Sequence, residues 1–119
     1  MKNTKLNYLY RDAANYKTWN AVVFQGEITE EQIETIMSCL DSGEYFIPEQ
    51  VGLPADRGGE LDMEYDHCWF ELDSSSFDTT EAPPTIDMTI EELVSAFQKA
   101  KNKWDDINYP KELYGEPSR

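Results

Sequence analysis

One helix-start device occurs twice in this chain and constrains its fold more than any other feature. Ile28-Thr29-Glu30-Glu31-Gln32-Ile33 places Thr29 at an N-cap and Gln32 at the third helical position. In that arrangement the threonine oxygen accepts from the Gln32 N–H, the Gln32 side chain returns to the Thr29 N–H, and Ile28 closes an apolar staple on Ile33. Met88-Thr89-Ile90-Glu91-Glu92-Leu93 repeats the device with Thr89, Glu92, Met88 and Leu93. After the first cap, Ile33, Ile36, Met37 and Leu40 recur at helical spacing, and Gly43 stands where a helix stop is expected. After the second, Ile90, Leu93, Val94, Phe97, Ala100 and Trp104 form one stripe, predicting a helix from about Ile90 to about Trp104. Lys99, Lys101 and Lys103 come late in it, where the negative end of the helix dipole favours cations.

The remaining periodic segments read as strands. Lys5 to Arg11 alternates Leu6, Tyr8 and Tyr10 with Lys5, Asn7 and Arg11, Leu9 breaking the polar face, and Asn20 to Gln25 holds the run Ala21-Val22-Val23-Phe24. Asp12 to Asn15 between them reads as a turn, so the two form a hairpin. His67 to Leu72, around Trp69 and Phe70, is a third strand. Pro48 to Glu60 and Ser74 to Pro84 read as loops, because Pro54, Pro83, Pro84 and several glycines interrupt any ladder or helix. Glu44 to Pro48 reads either as a core plug or as part of a contact patch. The expected fold class is α+β, with a small antiparallel sheet of about three strands, two helices on one face, and the order β-β-α-β-α. It forms a single domain over 1–109, followed by a weakly ordered tail over 110–119. At 119 residues the chain is long enough to bury its own core.

Charge is segregated along the chain. Residues 1–26 carry a net +3, residues 27–92 a net −18 with Arg57 as the sole cation, and residues 93–119 a net +1, for a formal −14 overall. Such a field repels phosphate and attracts basic protein surfaces. Direct nucleic-acid binding and adsorption to anionic membranes are therefore disfavoured. Early lysines are not followed by an apolar signal core, and no run approaches the roughly 20 apolar residues of a membrane span, so the expected location is the cytoplasm. Cys39 and Cys68 are too few for a disulfide framework or a zinc ligand set, and free thiols suit a reducing compartment.

Two constellations stand out. Glu60, Asp62, Glu64 and Asp66 alternate with Leu61, Met63 and Tyr65. If that stretch is extended, its four carboxylates share one face at spacings of about 6.6–6.8 Å, either an acidic ladder for a basic groove or a solvated edge strand. The same carboxylates with His67 do not converge on a metal ion, and no metal or cofactor is expected. The second constellation is Tyr8, Tyr10, Arg11, Tyr16 and Lys17, a basic and aromatic set able to hold a nucleotide, or else a half-buried hairpin whose cations offset the acidic half of the molecule. His67 and Cys68 are adjacent and would point to opposite faces, which argues against a thiolate–imidazole pair. With no nucleophile, base or metal set in position, an enzyme is not expected.

NYLYRDAANYK, GEYFIPEQVGLP and YDHCWFEL resemble stretches of small acidic proteins of unknown chemistry in bacterial and mobile-element genomes. In size and acidity the chain also resembles phage-encoded inhibitors of host defence, including DNA-mimicking anti-restriction and anti-CRISPR proteins. That resemblance implies a non-enzymatic inhibitor or regulator and carries over no site residues. The sequence thus leads to an acidic binding protein directed at a basic, nucleic-acid-handling protein, such as a defence protein, through Glu30, Glu31, Glu34, Glu60, Asp62, Glu64 and Asp66. One alternative is a small-ligand binder that sequesters a nucleotide or nucleotide-derived signal on Tyr8, Tyr10, Arg11, Tyr16 and Lys17. Another is a housekeeping domain whose acidity serves solubility.

Overall fold

The structure is a computed structural model that describes residues 2–11, 15–58 and 67–106. Its first unit is the expected hairpin. Strand β1, Asn3–Arg11, pairs antiparallel with β2, Lys17–Phe24, in one unbroken register from Thr4 opposite Phe24 to Arg11 opposite Lys17. Strand β2 starts ahead of the expected Asn20, since Thr18 and Trp19 are themselves good strand formers. Asn15, just before β2, adopts a left-handed backbone (φ 69°), a conformation asparagine tolerates.

β1 is the central strand. Its second edge is shared by β4, Phe70–Glu71, opposite Leu9 and Tyr10, and by β5, Phe77–Thr80, opposite Asn3 to Leu6. Between these pairings β1 advances from Leu6 to Leu9 while the returning chain uses Glu71 to Phe77. A 3-10 turn at Ser74–Ser76 absorbs the surplus, with Asp73 accepting from the Ser75 N–H at 2.8 Å. Strand β3, Tyr45–Phe46, adds to β4, giving the order β2-β1-β4-β3 with β5 beside β1. The sheet therefore has five antiparallel strands rather than three. The two unexpected strands are short. β3 has two residues, and β5 (Phe77-Asp78-Thr79-Thr80) is held by backbone pairing rather than by an apolar face, so neither leaves a periodic signal.

Both helices start where their capping boxes put them. Helix α1 is Glu30–Ser38 and α2 is Ile90–Ala100, and each N-cap threonine and third residue exchange both hydrogen bonds. Ile36 of α1 and Ile90, Leu93 and Phe97 of α2 join Leu6, Tyr8, Tyr10, Val22 and Phe24 in one buried cluster, so the even-numbered face of β1 is the core face. Buried Asn3 and Thr4 fix the entry to α1: Thr4 Oγ1 donates to the Gly26 carbonyl at 2.7 Å and accepts from the Ile28 N–H at 2.9 Å.

Helix α2 stops four residues before Trp104. Lys101 leaves the helix (φ −54°, ψ 128°) and Asn102 is left-handed (φ 63°), which folds the chain back. Trp104 still reaches the core, edge-on to Phe97 and Phe46, and its indole N–H donates to the Cys39 carbonyl at 3.0 Å. Phe46, Ile47 and Pro48 are buried and belong to the core, whereas Glu44 is exposed and Tyr45 half-buried. The loop that follows opens with a 3-10 turn at Pro48–Val51 and buries Val51, Leu53 and Arg57. The expected tail, 110–119, lies outside the described residues.

Candidate functional site

The alternation of β1 sorts the residues of interest. Tyr8 and Tyr10 point into the core with no exposure, and their hydroxyls donate to the Pro54 and His67 carbonyls, each at 2.6 Å. Burial raises the Tyr8 hydroxyl pKa, and the nearby Glu49 charge adds to that rise. These two rings tie the sheet to Pro54 and to His67 and, being fully buried, offer no face to a ligand. That corrects their place in the nucleotide set. Of the remaining members, Lys17 is exposed and stands opposite Arg11, and Tyr16 is 74% exposed. Trp19, on the same strand, is 66% exposed.

Arg11, on the odd-numbered face of β1, does not wait for a phosphate. Its Nε donates to Glu71 Oε2 at 3.0 Å, Nη2 to Glu71 Oε1 at 3.4 Å and Nη1 to Asn15 Oδ1 at 2.9 Å, engaging three of its five N–H groups. The hydrogen bond and charge of Glu71 raise the Arg11 pKa further. Glu71 lies diagonally across from Arg11 on the same sheet face, the geometry in which long side chains of neighbouring strands meet.

This pair forms one wall of a groove of about 550 Å³ at the end of the sheet. Tyr45, opposite Glu71 in the β3–β4 pairing, and Trp69, two residues before Glu71, supply aromatic walls. His67 lies at the rim, its Nδ1 accepting from the Trp69 N–H at 3.0 Å and its ring 5.3 Å from that of Tyr10. Asp41, bridged to Tyr45 through both backbone bonds, its neighbour Ser42, and Asp106 complete the lining. Asp106 is positioned by its neighbour: Gln50 Nε2 donates to the Asp105 carbonyl at 2.7 Å, and the Asp105 N–H donates to Gln50 Oε1 at 3.1 Å. One arginine thus faces three carboxylates in the groove.

Comparison with known proteins finds no matching family model, no matching curated protein and no matching solved structure. Function has to be read from the site itself.

The acidic surface is the second feature. Fifteen of the nineteen carboxylates between residues 27 and 92 are described; thirteen are exposed, and the other two, nearly buried Glu49 and half-buried Glu71, are bound to Arg57 and Arg11. Glu30, Glu31 and Glu34 lie exposed on α1, and among the described residues none has a cation within 4.0 Å. Glu60, Asp62, Glu64 and Asp66 lie outside the described residues.

Neither cysteine is disposed as a nucleophile. Burial pushes the Cys68 thiol up to about 12, outweighing the opposing pull of Arg57. Cys39 is buried with its Sγ donating to the Thr35 carbonyl at 3.2 Å. Cys68 is buried while His67 is exposed, so the two neighbours face apart. Among the described residues no three His, Cys, Asp or Glu side chains are grouped to hold a metal ion, and no helix is long and apolar enough to cross a membrane.

Sequence reasoning missed the groove and the Glu49–Arg57 pair. Arg57, the lone cation in the acidic stretch, carried a usable signal, since a single positive group among nineteen carboxylates is a natural candidate for an internal counterion. Asp41, Tyr45 and Trp69 carried none, because strand pairings far apart in sequence bring them together.

Proposed function

We propose that this protein is a non-enzymatic binding module that presents its acidic surface to a basic, nucleic-acid-handling protein. The carrying observation is that thirteen of the fifteen described carboxylates in residues 27–92 are exposed while the two described arginines, Arg11 and Arg57, are bound to the other two. Of the thirteen only Glu81 has a cation within 4.0 Å among the described residues, Lys2 at 3.8 Å, and a field so little compensated accelerates encounter with a positively charged partner and suppresses encounter with nucleic acid. Glu30, Glu31 and Glu34 offer one rigid row of this charge, because the Thr29 capping box fixes the helix that carries them. The exposed Tyr16 and Trp19 supply apolar contact area of the kind that dominates interface energetics. The counter-defence role implied by the resemblance to phage inhibitors is one setting for such a partner. The geometry lends less support to nucleotide capture, since two of its rings are buried and its arginine is held by Glu71.

The test is affinity capture from bacterial lysate at low salt, followed by a salt gradient and by competition with duplex DNA. The reading expects a basic protein that leaves as salt rises and is displaced by DNA, and whose capture is weakened by combined Glu30→Gln, Glu31→Gln and Glu34→Gln. A captured set indifferent to salt and to the triple substitution defeats it.

A further inference from the structure

We infer that the groove at the end of the sheet is a socket for an arginine side chain of the partner; the inference rests on the acidic-surface reading above. Its volume, about 550 Å³, lies within the roughly 300–1,000 Å³ typical of ligand pockets, room for a long side chain and its flanking backbone. The sign of its charge selects the ligand. Arg11 is neutralised by Glu71, which leaves Asp41 and Asp106, both exposed and with no cation within 4.0 Å among the described residues. A phosphate entering here meets a net negative wall, whereas a cation meets two carboxylates to accept its protons.

The aromatic walls narrow the choice from any cation to a guanidinium. Trp69 is half-buried, set edge-on to Trp104 with ring centroids 6.5 Å apart, and Tyr45 is half-buried beside Glu71. A planar, weakly hydrated guanidinium stacks on such rings and bonds carboxylates through its forked N–H groups, whereas an ammonium keeps its water and offers no plane. The fold also holds the walls in place before any ligand arrives. Tyr45 is locked by its double backbone bond to Asp41, at 2.8 and 3.0 Å, and the Asp106 segment by Gln50. Binding a side chain here therefore requires little ordering of the protein.

The test uses the full chain, ¹⁵N-labelled, titrated by NMR with acetyl-Gly-Arg-Gly-amide and with the same peptide carrying neutral citrulline. The expected result is saturable shifts of the Trp69 indole N–H and the Tyr45 and Glu71 amides with the arginine peptide, and at least tenfold weaker binding of the citrulline peptide. Asp41→Asn with Asp106→Asn, both exposed and so tolerated by the fold, should weaken the arginine peptide at least fivefold while the rest of the spectrum is unchanged. Equal response to the citrulline peptide, or a double variant that binds as well as the parent, overturns the socket. So does adenosine monophosphate shifting the same resonances more strongly than the arginine peptide. If the double variant retains salt-sensitive capture of a basic protein that the α1 triple variant loses, the socket fails and the acidic-surface reading stands; if both variants retain salt-sensitive capture, the socket fails and so does the α1 row as the contact, and if the capture is also indifferent to salt the acidic-surface reading fails with them.

Discussion

Arg57 and Glu49 form the one ion pair among the described residues that is shut away from water, and neutralising one member should have a large, pH-dependent effect. The guanidinium side chain has no exposure and the carboxylate only 8%; Nη1 and Nη2 bond the two Glu49 oxygens at 2.5 and 3.1 Å. Nη2 also donates to the Cys68 carbonyl at 2.7 Å, and the guanidinium carbon lies 4.9 Å from the Phe70 ring centroid and 5.6 Å from that of Tyr10. Glu49→Gln keeps the size and removes the charge. Arginine cannot give up its proton to escape, so the charge stays buried and the variant should lose about 3–5 kcal/mol. For a domain of this length that lowers Tm by about 10–20 °C. Arg57→Met removes the other partner, but a carboxylate left alone can take up a proton, so its loss should shrink toward acid pH while that of Glu49→Gln does not. Combining Glu49→Gln with Arg57→Met removes both charges and leaves the Cys68 carbonyl without the Nη2 donor, a loss of about 1–3 kcal/mol for that group. The double variant should therefore be more stable than either single one. Urea unfolding followed by tryptophan fluorescence, at pH 7 and again at pH 5, measures all four corners of the cycle. A Glu49→Gln loss below about 1 kcal/mol, or a double variant showing simple additivity, would refute the claim that burial makes this pair interdependent.

Three further outcomes are open to direct measurement. Thr29→Ala and Thr89→Ala each remove a cap oxygen that accepts at 3.0 Å, and each should lose about 1 kcal/mol in the same urea assay. Gly52 ends the Pro48–Val51 turn at φ 81°, and a Cβ there would stand 2.7 Å from Met88 Cε. Gly52→Ala should therefore lose at least the roughly 1–2 kcal/mol of a left-handed residue, with Met88→Ala in the same chain recovering only the steric part. The Cys68 thiol is raised from 9.0 to about 12 by burial, so the folded chain keeps a proton that the unfolded chain releases. Stability should be unaffected by this group below pH 9 and fall from about pH 9 toward 12, and Cys68→Ala should flatten that slope; an unchanged slope assigns the loss to other groups, Tyr8 among them, whose pKa is raised in the same sense.

The parts of this fold that could be read ahead of the structure are those encoded within a few residues of one another. Thr29 and Gln32, like Thr89 and Glu92, are three apart, and their hydrogen bonds form as expected. Leu6, Tyr8 and Tyr10 alternate, and all three lie in the core. What stayed hidden depends on distant pairing. Strand β5 exists because its backbone finds Asn3 to Leu6, more than seventy residues earlier, and β3 because Phe46 lands opposite Phe70. Trp104 was correctly placed against the core, yet by a reversal after Ala100 that no helical period can express. The same limit separates the two candidate sites. The α1 row could be read from its cap and spacing, while the groove joins Arg11, Asp41, Trp69 and Asp106 from four separate segments.

That distinction bears on which ligand the molecule suits, because the sequence set Arg11 among aromatic residues and the fold sets it among acids. Read along the chain, Tyr8, Tyr10, Arg11, Tyr16 and Lys17 look like a cationic, ring-lined site for phosphate and base. In space, alternation drives Tyr8 and Tyr10 inward and leaves Arg11 on the opposite face, where the next strand presents Glu71. The cation thereby becomes a structural counterion, a half-buried and hydrogen-bonded partner for a carboxylate that would otherwise be poorly solvated. The net field of the groove then has the same sign as the rest of the surface. The same sign of charge thus lies both across the exposed described carboxylates and inside the groove, and the arginine-bearing partner proposed above would satisfy both where a nucleotide would satisfy neither.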